Sequence, residues 1–185
     1  MLLGAAVFGR GPGRGRAALA AAAGGLTPDL AAFALVLWAA ARGMDGQTIF
    51  REAYFSAPWQ AVMAPFHSAP LWLALLVLSW SLGRPSATAF AGSALLHQAF
   101  DLPLHADDPH RHLWPLSDWR FHSPVSYWDP RHSGAWIQPL EIALGLGLVL
   151  VLWRRWPGRW SRVALALTGV LYVAQATATA AFLWF

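Results

Sequence analysis

Cysteine is absent from this 185-residue chain, which excludes disulfides and thiolate metal ligands and leaves the redox compartment without a marker. Lysine is absent as well, so all thirteen basic residues are arginine. Most lie beside apolar runs and form no stripe that would follow a phosphate backbone, so nucleic acid is not an expected partner. Charge of either sign is scarce, 12% of residues against 57% hydrophobic, far from the soluble average. There is no internal repeat and no Ser- or Gln-rich tract. What remains is the composition of a lipid-embedded protein. The expected fold class is all-α: a single polytopic helical membrane domain over 1–185, with about four to five transmembrane helices and a long His/Asp-rich extramembrane loop.

The apolar runs are uneven. Residues 1–16, "MLLGAAVFGRGPGRGR", suggest a flexible cytoplasmic end; the alternative is a signal-peptide n-region, with "AALAAAAGG" as a short apolar core and cleavage near Gly24. Residues 17–41 are long enough to cross a bilayer, but "GGLTPD" interrupts them, so a broken helix or two short helices are expected. Further runs cover 69–82, 86–100, 136–153 and 163–185. Arg154, Arg155, Arg159 and Arg162 lie between the last two runs with no acid among them. Arg10, Arg14, Arg16 and Arg84 fall on the same side if five spans alternate, and that side is expected to be cytoplasmic. The connection over 42–68 and the polar loop over 101–135 then face outward. The twelve tryptophans suit headgroup-level anchoring, although tryptophan also fills helix interfaces.

Within that frame, "HQAFDLPLHADDPHRH" gathers four of seven histidines and three of seven aspartates into residues 97–112. The four-residue spacing of His97 and Asp101 puts both on one helical face. Pro103 stops the helix soon after, so His105, Asp107, Asp108, His110 and His112 come from a turn or loop above its end. Mixed imidazole and carboxylate suit a hard or borderline divalent cation, zinc or manganese. The bland alternative is a loop of solvated polar residues. Asp29, in "GGLTPDLAAF", is costly in lipid unless it is paired, faces a cavity or binds a cation, and it also fits a helix N-cap. His67, in "APFHSAPLW", standing alone, reads as a hydrogen-bonded interfacial histidine.

"LTPDL", then "FHS" ahead of an apolar run, then "GSALLHQAFD" resembles the bacterial membrane-bound metal-dependent hydrolases of the YdjM type. The likeness covers roughly the first 110 residues. It implies that Asp29, His67, His97 and Asp101 are metal ligands and that the chain is a hydrolase of the bacterial inner membrane; the arginine distribution, not the resemblance, puts the site on the periplasmic face. The chain departs from the family pattern in having "LAAF" after the Pro-Asp and no additional histidine shortly before His67.

A divalent ion with an open position makes hydrolysis the natural reaction class. Asp107, Asp108 and Glu141 are the candidate general bases, beside His110. Arg111 and Arg120 either clamp an anionic headgroup or pair with Asp118 and Asp129. The aromatic segment "WPLSDWRFHSPVSYWDP" suits a loop on the headgroup layer, so the bilayer is the expected partner and a lipid or lipid-linked ester or phosphodiester the expected substrate. The competing class is a non-enzymatic metal-binding membrane protein, a carrier or assembly partner.

Overall fold

The computed structural model describes residues 1–9, 14–127 and 129–184. Among them there is no strand, as the all-α expectation requires. The helices are α1 (Leu2–Phe8), α2 (Arg14–Ala41), α3 (Gly46–Thr48), α4 (Ala57–Met63), α5 (Ala69–Ser81), α6 (Pro85–Asp101), α7 (Gly134–Arg155) and α8 (Arg159–Trp184). The chain divides into two compact units, one of Leu3–Ser123 with Met1 and one of Pro124–Phe185 with Leu2. Among the described residues two helical stretches, Gly15–Ala41 and Gly134–Arg155, are long and apolar enough to cross a membrane.

In the first unit α6 lies against both α2 and α5. The approach of α2 depends on small residues. A Cβ on Gly24 would collide with the Phe90 carbonyl, and one on Gly4 of α1 with the Ser93 side chain. Ala17, Ala21 and Ala89 close the same seam, with Phe8 packed on them. On its other flank Phe90 meets Trp72 of α5, ring centroids 5.6 Å apart. Farther along α2, Ala31 and Ala39 pack with Ile49, Trp59 and Met63, which seats α4 and the preceding π-helical turn, Ile49–Ala53, on that helix.

Two expectations about the first residues change. The supposedly flexible end contains α1, with Ala5 buried; residues 10–13 lie outside the described set. The expected break at "GGLTPD" is not there, because α2 runs unbroken through Pro28. A proline removes only one helical donor, that for the carbonyl four residues earlier. Thr27 keeps the turn in register by donating its hydroxyl to Ala23 O at 2.8 Å, and the Pro28 ring is fully buried. Asp29 therefore sits in the middle of a continuous helix and not at the tip of a half-helix.

Helix ends place the remaining polar groups. Asp45 caps α3, accepting from Thr48 N at 3.0 Å and from the Thr48 hydroxyl at 2.6 Å. Ser68 caps α5 by accepting from Leu71 N. Gly83, at φ +62, makes the tight turn into α6 that a side chain would strain. α6 closes in a 3-10 turn, Leu102–Leu104, where Pro103 ends regular helix, and the chain then runs irregularly over the end of the bundle.

In the second unit α7 lies antiparallel to α8 in sequence order, and Gly145 makes room for the Tyr172 ring. Before α7, Asp129 accepts from Arg131 N at 2.9 Å and pairs with the Arg131 guanidinium at 2.6 Å. Ser133, at φ +66, then turns the chain into the helix.

Candidate metal centre

Four separate segments of the first unit converge on one buried cluster. Asp29 comes from the middle of α2, His67 from the residue before the α5 cap, His97 and Asp101 from the last turns of α6, and His105 to His112 from the loop. His67 is completely buried, enclosed by the α2–α4 apolar cluster on one side and the loop on the other.

The α2–α6 seam sets the tautomer of His97. Its Nδ1 lies 3.0 Å from the Gly25 carbonyl, and a ring nitrogen facing a carbonyl must carry the proton. In the neutral ring His97 Nε2 is then the lone-pair nitrogen, and it points toward Asp29 Oδ1 at 3.6 Å. His67 repeats the arrangement, with Nδ1 3.3 Å from Met63 O and Nε2 3.8 Å from Asp29 Oδ1. Neither Nε2 has a hydrogen-bond partner. These separations are too long for hydrogen bonds. They are close to the roughly 3.4 Å between donors that a tetrahedral ion with 2.1 Å bonds would impose. A ligating histidine normally fixes its other nitrogen on a carbonyl or carboxylate, so the donor set fits a divalent cation.

Asp101 is the hub of the second half. Its Oδ1 accepts from His105 Nε2 at 2.7 Å and lies 4.0 Å from His97 Nε2. Its Oδ2 lies 3.8 Å from His112 Nε2 and 4.0 Å from His110 Nε2 and has no hydrogen-bond partner. Burial alone would raise the Asp101 pKa, but the His105 hydrogen bond and the charges around it prevail and hold it below the usual carboxylate range. Burial likewise pushes His105 down, yet the hydrogen bond to Asp101 and the Asp108 carboxylate, 2.9 Å from Nδ1, reverse this and raise it to about 10. Both of its nitrogens are committed to carboxylates. His105, expected as a ligand, is therefore placed as a clamp on one.

His110 and His112 behave oppositely. Burial drives His110 well below its ordinary value, helped by its neighbour His67, whose ring stacks on it at 3.6 Å. His112 falls to about 4, again chiefly through burial. Both are neutral near pH 7, the form in which imidazole binds a metal.

Backbone and side-chain staples hold the loop in place. Ala69 N donates to His112 O at 2.8 Å, and the Ser68 hydroxyl donates to the Trp114 carbonyl. The His-Ser pair thus supplies one inward imidazole and one anchor for the loop. Arg111 bonds Gln60 O and Asp118, both at 2.9 Å, and Arg120 bonds Pro109 O at 2.8 Å. Arg111 takes the expected pairing with Asp118, whereas Arg120 meets a backbone carbonyl and Asp129 is taken by Arg131. His122 Nδ1 lies 3.0 Å from Ala106 O, and the Ser123 hydroxyl donates to Pro103 O at 2.6 Å.

Asp29, His67, His97, Asp101, His110 and His112 are thus brought together with His105 and Asp108. Asp107 is exposed on the loop, and Glu141 is exposed on α7 in the second unit. Two groups, Asp29 with His67 and His97, and His67 with Asp101 and His110, have ligand atoms within 4.8 Å of one another.

Tyr54 is a neighbour that sequence reasoning missed. Burial raises its pKa, and Asp108, Asp101 and Asp29 add to the shift, which places its phenol in the field of the cluster. The π-helical turn just before it was the available signal, since such turns recur at functional sites, but a sequence does not announce one. Gln98 is the other: buried beside His97, with Oε1 unpartnered.

Comparison of the chain with protein-family models, with curated proteins and with solved structures finds no match.

Proposed function

We propose that this chain is a membrane-embedded, metal-dependent hydrolase of the bacterial inner membrane that cleaves an ester or phosphodiester in a lipid or lipid-linked substrate at the periplasmic face. The observation that carries the reading is the pair His67 and His97. Each has its Nδ1 fixed on a backbone carbonyl and its Nε2 turned, without a hydrogen bond, toward Asp29. A buried imidazole nitrogen left unpartnered is costly, and a cation shared with Asp29 and Asp101 removes that cost. Zinc and manganese fit the donor set. When bound, such an ion supplies Lewis acidity and a lowered pKa for water.

The chain's own groups handle position and protons. Asp101, fixed by His105, keeps one oxygen turned inward. Asp108 holds the far side of His105, so the Asp101, His105 and Asp108 array is the proton store of the site, and Asp108 is the preferred base over the exposed Asp107. Glu141, carried by the other unit, has no part in this reading. The Tyr54 phenol, kept protonated, is a hydrogen-bond donor for charge developing on a substrate oxygen.

The membrane setting has support of its own. α5 exposes Leu71, Leu73, Val77, Leu78 and Trp80, large apolar side chains of the kind that face lipid or a partner. The loop exposes Leu113, Leu116, Trp119 and Phe121, and of these Trp119 is the type that sits at headgroup level.

The test is hydrolysis by detergent-purified protein reconstituted in nanodiscs, supplied with zinc or manganese, on phospholipid and isoprenoid-phosphate substrates. Cleavage should require metal and vanish in Asp29→Ala and His97→Ala. Metal-loaded wild type that cleaves neither an ester nor a phosphodiester would leave the non-enzymatic metal-binding reading in its place.

A further inference from the structure

We infer that the cluster holds two divalent ions, bridged by Asp101, and that the second is bound by the loop histidines His110 and His112. The inference rests on the metal-dependent reading above and extends it. Six donors converge: Asp29, His67, His97, Asp101, His110 and His112. One tetrahedral ion accepts four. One six-coordinate ion would take all of them and leave no position for a substrate, which a hydrolytic ion needs.

The donors sort into two sets by which oxygen they face. Asp29 Oδ1 is 3.6 and 3.8 Å from His97 and His67, and Asp101 Oδ1 is 4.0 Å from the same His97 nitrogen. The other oxygen, Asp101 Oδ2, is 3.8 and 4.0 Å from His112 and His110. Asp101 thus turns one oxygen to His97 and the clamping His105 and the other to His110 and His112, an arrangement open to a bridging ligand, and bridged hydrolytic centres keep their ions about 3.5–4 Å apart. The parallel rings of His67 and His110, 3.6 Å apart at 12°, stack one set directly on the other. His67 also lies within reach of Asp101 and His110, so it stands at the boundary between the two sets.

The loop is built for this purpose. It is tied to α5 through His112 O and Ser68, to α4 through Arg111, and to itself through Arg120 and Ser123. His105 acts as a positioning residue, since its bond to Oδ1 turns Oδ2 toward the loop pair.

The experiment is metal content by mass spectrometry of detergent-purified protein after manganese or zinc loading and removal of loose metal, with electron paramagnetic resonance of the manganese form. Wild type should hold two ions per chain with an exchange-coupled manganese signal, and the double variant H110A/H112A should hold one with an isolated six-line signal. One ion per wild-type chain, or two uncoupled ions, overturns the paired centre while leaving the hydrolase reading in place. Two ions retained in H110A/H112A overturns the assignment of the loop histidines. No ion in wild type overturns both readings. The wild-type spectrum decides the matter even if the double variant misfolds.

Discussion

His97 bonds the Gly25 carbonyl through Nδ1 at 3.0 Å and turns Nε2 to within 3.6 Å of Asp29, one helical turn farther along α2. One ring therefore reads two positions on a neighbouring helix, and the pair is set by helix packing before any ion arrives. Asp29→Asn keeps the shape and removes the charge. It should weaken zinc or manganese binding by about 100-fold or more, at least the loss typical of disturbing an outer-shell partner. Competition against a fluorescent chelator measures this, and an affinity within threefold of wild type would remove Asp29 from the donor set.

His105 and Asp108 predict a different signature. Neither is needed as a ligand, so His105→Gln and Asp108→Asn should lower metal affinity by about 10–100-fold while the number of ions bound at saturation stays that of wild type. A lost equivalent of metal in His105→Gln would make His105 a ligand after all.

Much of the centre was legible from residue spacing. His97 and Asp101 fall on one helical face by arithmetic, Pro103 dictates that the following histidines come from a loop, and the crowding of imidazole in an apolar chain signals a shared partner. What spacing could not show is which partner each imidazole meets. His105 and His110 are five residues apart in one loop, yet one is clamped between carboxylates and the other stacked on His67, a difference made by long-range packing. Pro28 misled for a related reason. A local rule predicts a break, but a single missing donor is a small loss beside the burial gained where α2 lies along α6. Tyr54 was invisible because its approach depends on how α4 docks on α2.

The opposite pKa shifts in the loop bear on pH. In metal-free protein His105 titrates near 10 against an ordinary value of 6.5. A raised folded-state value contributes stability that is complete below about pH 6.5 and is lost as pH rises through about 10. Nitrogen-15 NMR of metal-free protein should show a doubly protonated His105 ring at pH 8. Metal-free wild type should also lose stability between pH 8 and 10.5 by more than His105→Gln does. A neutral His105 ring at pH 8 would contradict the clamp.

The α2–α6 seam can be tested through its glycines. An added methyl on Gly24 meets the Phe90 backbone, which cannot swing away as a side chain can, whereas Gly147 on α7 has nothing within 4 Å. Gly24→Ala should destabilise the protein by about 1–3 kcal/mol, the usual range for overpacking, and weaken metal binding as Asp29 is pushed away from His97. Gly147→Ala should be neutral or stabilising by about 0.5–1 kcal/mol. Thermal unfolding in detergent compares the two, and equal midpoints would show that the seam yields more easily than its geometry implies.

The absence of cysteine makes the membrane orientation accessible to single-cysteine labelling with no background to remove. Leu116, 79% exposed in the loop that carries His105 to His112, should face the periplasm if the His/Asp cluster does. Gly158, between α7 and α8 among Arg154, Arg155, Arg159 and Arg162, should face the cytoplasm by the positive-inside rule. On intact spheroplasts a membrane-impermeant maleimide should label Leu116→Cys at once and Gly158→Cys only after permeabilisation. The reverse pattern would move the proposed hydrolysis to the cytoplasmic leaflet, because the arginine-rich turn and the histidine-rich loop would have exchanged sides. Equal labelling of both before permeabilisation would mean that α7 does not cross the bilayer, and the apolar surface of α5 would then need a partner other than lipid.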